Sequence, residues 1–244
     1  MAQLAVDRSI DADLRRRAGK ALELARESAR LYPPITERLD ARDFAGALEC
    51  IDVDLVALPH EVNLHWWRGH ALDGLGRLTE AAESFERSSQ LASYAPVIPR
   101  TLASLYLRLG DSARAVEEAR RGVAIDATDA ESQTTLARAL YRAGDGAEAA
   151  EVAAMALRLS PVQAEASWIA LLAALRTANA EPAAQAFAHL RRLQTILGPT
   201  WDAEWRGEIR TQLERSAPDD AALQALRDEA LALAAAPWPP GSPQ

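Results

Sequence analysis

The chain has 244 residues, 49% of them hydrophobic, which suffices for one large folded domain or two small ones. Its 35 acidic residues outnumber 27 basic ones, giving a net charge of −8 and a pI near 5.1; the basic footprint selected by nucleic acids and anionic membranes is missing. The single cysteine, Cys50, closes no intramolecular disulfide, and no apolar stretch reaches the roughly 20 residues of a membrane helix, so a cytoplasmic location is expected. Lys20 is the only lysine, and with the abundance of alanine this points to a GC-rich, bacterial coding bias.

In chain order, the first predicted element is a helix over residues 10–31, with Leu14, Ala18, Ala21, Leu22 and Ala25 on one side; with the segment 1–27 assigned to it, it is expected to cap the N-terminal end of a helical stack. Next comes a period of 34 residues. Gly76, Gly110 and Gly144 each end an apolar-periodic run (GHALDGLG, LASLYLRLG, LARALYRAG), and an alanine stands five residues later, at Ala81, Ala115 and Ala149. The alanine column extends back to Ala47 and forward to Ala183. Ile51, Phe85, Ala119, Ala153 and Phe187 lie four residues beyond it, and Ala57, Leu91, Ile125, Leu159 and Leu193 a further six, on about one helical face. Each period reads as helix A, a glycine-marked turn and helix B. Glycine suits the position after helix A because a left-handed backbone conformation costs it little, and alanine suits a close helix crossing.

This phase divides the chain into five units: 28–61, 62–95, 96–129, 130–163 and 164–197. The first is degenerate, with Pro33 and Pro34 confining its helix A to a late start, since proline is tolerated only in a helix's first turn. The fifth is divergent: Leu171 stands where a small residue is expected and Ala178 replaces the turn glycine. Residues 198–235 hold two further predicted helices, expected to cap the far end, with Trp201 and Trp205 packed onto the last repeat. Residues 236–244 are a proline-rich tail expected to be disordered.

These columns resemble the tetratricopeptide repeat family. Its small eighth-position residue is matched by Gly69, Ala103 and Ala137, its large eleventh-position residue by Leu72, Tyr106 and Leu140, and its terminal proline by Pro59 and Pro161. The resemblance covers about residues 28–197 and implies an all-α, right-handed superhelical solenoid of antiparallel helix pairs that works by binding another polypeptide.

Catalytic and metal motifs are absent: Gly144 and Gly146 make a GxG that belongs to a helix–helix turn, and His65 and His70, five apart, point away from each other on a helix. Glu61 and His65 share a helical face as a solvated pair, and Cys50 reads as a small packed hydrophobe. A helical-repeat enzyme would have to use His70, Asp73, Ser104 and Glu131, which match no known arrangement. No cofactor, metal or enzymatic activity is expected.

The resemblance implies that the A helices line a concave groove. By phase it contains Asn63, Trp66, His70 and Asp73, then Arg100, Ser104, Leu107 and Arg108, then Glu131, Thr134, Arg138, Tyr141 and Arg142, then Glu165, Trp168, Leu172 and Arg176. Of the adjacent Trp66 and Trp67, Trp66 is assigned to the groove and Trp67 to packing. Arg108, Arg142 and Arg176 are one period apart and form a ladder suited to carboxylates, although arginine near a helix C-terminus also complements the helix dipole. The expected partner is a protein or peptide of acidic character, bound by a non-enzymatic adaptor. The alternative is an accessory or chaperone-like subunit of a bacterial enzyme or secretion complex. The segment 198–244, with net charge −4 by its eight acids and four arginines, is a candidate internal competitor for the same groove. Oligomeric state is left open.

Overall fold

The computed structural model describes residues 32–92, 95–197, 203–216 and 218–235, and among these every regular element is a helix. The N-terminal helix expected over 10–31 and the tail 236–244 lie outside the described residues, as does Trp201. The chain divides into two compact units, residues 1–91 and 92–244.

The first unit contains α1 (32–40), α2 (Phe44–Ala57), α3 (Val62–Gly74) and α4 (Leu78–Leu91). Pro33 and Pro34 fall in the first described turn of α1. Helix α3 packs on α2 and α4. The second unit contains α5 (Val97–Leu109), α6 (Ser112–Ile125), α7 (Ala130–Ala143), α8 (Gly146–Leu159), α9 (Ala164–Arg176), α10 (Ala180–Leu197), α11 (Ala203–Arg215) and α12 (Ala221–Ala235). From α5 to α10 each helix packs on the next, the short turns between α5 and α6, α7 and α8, and α9 and α10 folding each pair back antiparallel.

One turn geometry generates these pairs. A residue one or two places after helix A is left-handed in all five periods: Arg42 (φ 57°), Gly76 (75°), Gly110 (79°), Gly144 (107°) and Ala178 (53°). The next amide then reaches back five residues to a helix A carbonyl, at 2.8–2.9 Å in Asp43→Arg38, Arg77→Leu72, Asp111→Tyr106, Asp145→Leu140 and Asn179→Ala174. This is the bond that closes a helix ending in a left-handed residue. Asp43 and Asp111 go on to cap the helix after the turn, accepting from the amides of Gly46 and Arg114.

The alanine column lies wholly in the core: Ala47, Ala81, Ala115, Ala149 and Ala183 are all 0% exposed. Ile51, Phe85, Ala119, Ala153 and Phe187 are buried beside it. The third column departs from expectation, because Ala57 and Leu159 are exposed and Leu91 and Ile125 only half-buried; Leu193 alone is buried. Ten residues past the alanine is about 80° off its face, and in four of the periods the residue falls at the end of helix B, beyond the crossing.

Within the second unit α5 touches α7 and α7 touches α9, whereas α6, α8 and α10 make no comparable contact with one another. Helices on the inside of a curved stack approach more closely than those outside, so the A helices α5, α7 and α9 form the inner face. No helix among the described residues is long and apolar enough to cross a membrane.

Candidate functional site

In the first unit the groove candidates sit on α3. Gly69 lies against Phe85 so tightly that a Cβ there would be 2.6 Å from the ring, and Phe85 is fully buried. Trp66 and His70, both half-buried, meet that ring edge-on with centroids 5.0 Å away, and meet each other at 4.5 Å. Burial pushes the His70 imidazole below its ordinary pKa, against the opposing charge of Asp73. Trp67 packs edge-on to Tyr32 at 4.5 Å. Trp67 is thus packed, while Trp66 stays half-buried and rests on Phe85 from one side, where a glycine at position 69 lets the ring rise to meet Trp66 and His70. Asn63 is exposed and donates to the Tyr32 hydroxyl at 3.0 Å.

In the second unit α5, α7 and α9 bring six of the remaining candidates, Arg100, Ser104, Glu131, Thr134, Arg138 and Glu165, together around a polar cavity of about 340 Å³ that Thr101, Thr135 and Gln163 also line. Arg100, on α5, donates to Asp129 at 3.0 Å and pairs with Glu131 at 2.6 Å. Asp129 is also the N-cap of α7, accepting from the amides of Glu131 and Ser132. Arg138, on α7, spans to both neighbours, donating to the Ser104 hydroxyl at 2.8 Å and pairing with Glu165 at 3.1 Å. Its Nε is buried and finds no hydrogen-bond partner within the protein. The cavity walls thus carry both signs of charge, each arginine bridging to an acid on the next A helix.

The three arginines of the expected ladder are engaged in three different ways. Arg108 is exposed at the end of α5. Arg142 is ion-paired with Glu208 of α11. Arg176 lies over the Tyr141 ring, 5.3 Å from its centroid, and donates to the Tyr141 carbonyl at 2.9 Å, an acceptor in the last turn of α7 that also takes the Gly144 amide. Burial raises the Tyr141 hydroxyl pKa; the Arg176 charge opposes this and Glu208 adds to it.

Trp168 departs from its expected place. Assigned to the groove by phase, it is 1% exposed, because α9 is packed against α7, α8, α10 and α11 and has little free surface left. Thr134 is likewise buried, with its hydroxyl turned back to the Ala130 carbonyl at 2.8 Å. Of the residues a catalytic reading would need, His70 is stacked in the first unit, and Ser104 and Glu131 are bonded to arginines. Among the described residues no group of three or more His, Cys, Asp or Glu side chains could hold a metal ion.

Sequence reasoning missed the pair Ser167 and His189, which meet at 2.8 Å between α9 and α10. Ser167 is 0% exposed and also bonds the Gln163 carbonyl, so the pair joins two helices and offers no reachable nucleophile. The acids that neutralise the arginines, Asp129 and Glu208, were also missed. Asp129 was legible as a cap residue before α7, whereas nothing local marks Glu208 as a neighbour of α7.

Residues 62–93 match the family model described as tetratricopeptide repeat. No curated protein matches the sequence. Among solved structures the fold is similar to MamA, with TM-score 0.64 at 18% identity over 72% of this chain and 96% of that one. It is also similar to MamA 41-end from Desulfovibrio magneticus RS-1, with TM-score 0.64 at 16% identity over 70% and 96% of the two chains. A third is YrrB, described as a TPR protein with an unusual peptide-binding site, with TM-score 0.61 at 18% identity over 72% and 92%.

Proposed function

We propose that the chain, which matches the tetratricopeptide-repeat model over residues 62–93 and has a fold similar to solved structures of such proteins, is a non-enzymatic adaptor that binds a peptide segment of a partner protein along the inner face of α5, α7 and α9. The observation that carries this reading is the polar cavity itself: three consecutive A helices contribute hydroxyls and both charges to one concavity, and a buried donor, Arg138 Nε, is left without a partner inside the protein. A buried unsatisfied donor costs about 1–3 kcal/mol, which an acceptor on a bound peptide, such as a main-chain carbonyl, offsets. That the YrrB structure has a peptide-binding site supports the same use of this fold.

The cavity centre is electrically balanced, so its hydroxyls and paired charges suit a peptide main chain. The acidic character of the partner belongs to the other end of the face, where Arg108, Arg142 and Arg176 lie. The test is to pan a displayed random-peptide library on the full chain and measure the selected peptides by fluorescence anisotropy against two variants. Thr101→Trp fills the cavity, and Arg138→Lys keeps the charge but removes the Nε donor. Both should weaken binding at least tenfold; peptides that bind the two variants as they bind the parent would end this reading.

A further inference from the structure

Glu208 belongs to α11, yet its carboxylate pairs with Arg142 on α7, 66 residues earlier. A terminal cap needs only to cover the last pair, and α11 touching α9 with α12 touching α10 would do so. Glu208 reaches one pair further, onto the A-helix side. Here Arg142 and the Arg176 guanidinium over the Tyr141 ring form a cationic and aromatic end to the inner face. The residue before Glu208 is Gly207, exposed in the body of α11 with open space around its Cα, and glycine is among the weakest helix formers. Among its described side chains, α11 is held by the buried Ile209 and Leu213 together with this ion pair to α7.

Resting on the reading that this face binds peptides, we propose that its Tyr141–Arg142–Arg176 end is a docking surface for a carboxylate carried on a helix. Helix α11 is its resident occupant, and a partner helix of the same character displaces it. The partner this selects is an amphipathic helical segment with an acidic residue on the docked face. The sequence from 198 to 244, acidic at net −4, provides the charge sign such a surface accepts.

The experiment uses the full chain, its Glu208→Arg variant and a labelled synthetic peptide of residues 203–215 as the probe in trans. Glu208→Arg sets a third cation beside Arg142 and Arg176, so amides of α11 should exchange at least tenfold faster than in the parent, with those of α7 unchanged. The peptide should bind the variant at least tenfold more tightly than it binds the parent. Adding Arg142→Glu to Glu208→Arg reverses both charges; it should restore α11 protection and expel the peptide. Unchanged exchange in Glu208→Arg, or faster exchange with no gain in peptide affinity, would show a terminal cap and nothing more. The two readings fail separately. If library peptides still map to the cavity while the α11 probe is indifferent to Glu208→Arg, only this inference is lost; the converse pattern removes only the cavity reading.

Discussion

A left-handed backbone at a residue with a Cβ is strained, and two of the five interhelical turns bear that strain. Arg42 and Ala178 hold φ of 57° and 53° at the phase where the other three periods place glycine. For an L-residue that conformation costs about 1 kcal/mol relative to glycine. In Ala178→Gly and Arg42→Gly the greater freedom glycine adds to the unfolded chain offsets part of that relief, so each should raise stability by about 0.5 kcal/mol in urea unfolding. Gly110→Ala should lower stability by a similar amount through the backbone alone, because a Cβ there would meet nothing within 4 Å. Equal midpoints for Ala178→Gly and the parent would mean that the turn is not strained. The glycine column made three of these turns legible in the sequence. The same turn at Arg42 and Ala178 was not legible, since what imposes it there is the packing of the helices on either side rather than the residue between them.

At the scale of helix pairs, the crossing of α3 and α4 differs from the later ones. Where the later pairs have buried alanines at the same phases, Ala103 with Ala119 and Ala137 with Ala153, this one places Gly69 against Phe85, with no room for a Cβ. Gly69→Ala should destabilise the first unit by about 1–3 kcal/mol, the cost of overpacking. Adding Phe85→Leu should recover part of that loss, and strictly additive effects in the double variant would contradict the contact. The same crossing predicts a pH dependence. His70 is half-buried and its folded pKa is depressed below the ordinary 6.5, so below that pH the unfolded chain binds the proton more readily. Stability of the first unit is full above pH 6.5 and should be lost as pH falls through the folded value; His70→Phe should flatten the profile. The core alanines and the order of helices were readable from phase. The stacking of Trp66 and His70 on Phe85 was not, because the phase of position 66 is shared by every repeat, while the glycine that lets the ring rise is particular to this one.

For the whole molecule the relevant quantity is the separation between net charge and local charge. The chain carries −8, yet the helices α5, α7 and α9 bear Arg100, Arg108, Arg138, Arg142 and Arg176. Their phase was visible in the sequence, but the pairing of Arg100, Arg138 and Arg142 with Asp129, Glu131, Glu165 and Glu208 was not. Three of those acids come from the next helix pair or the turn leading into it, and the fourth from a helix outside the repeat. An acidic peptide approaching from beyond the Debye length, about 10 Å at 0.1 M salt, meets the field of the whole acidic molecule before it meets any arginine. At low ionic strength its association should be slow, and adding salt up to about 0.1 M should raise the on-rate by screening that repulsion. Once docked, the short-range pairs at Arg142 and Arg176 are themselves screened further, so the off-rate should rise with salt as well. Stopped-flow measurement of both rates from about 10 to about 300 mM salt separates the two effects. An on-rate that falls monotonically with salt would mean that the partner is basic and is steered by the acidic surface, which would remove the carboxylate-binding role from the arginine end of the face.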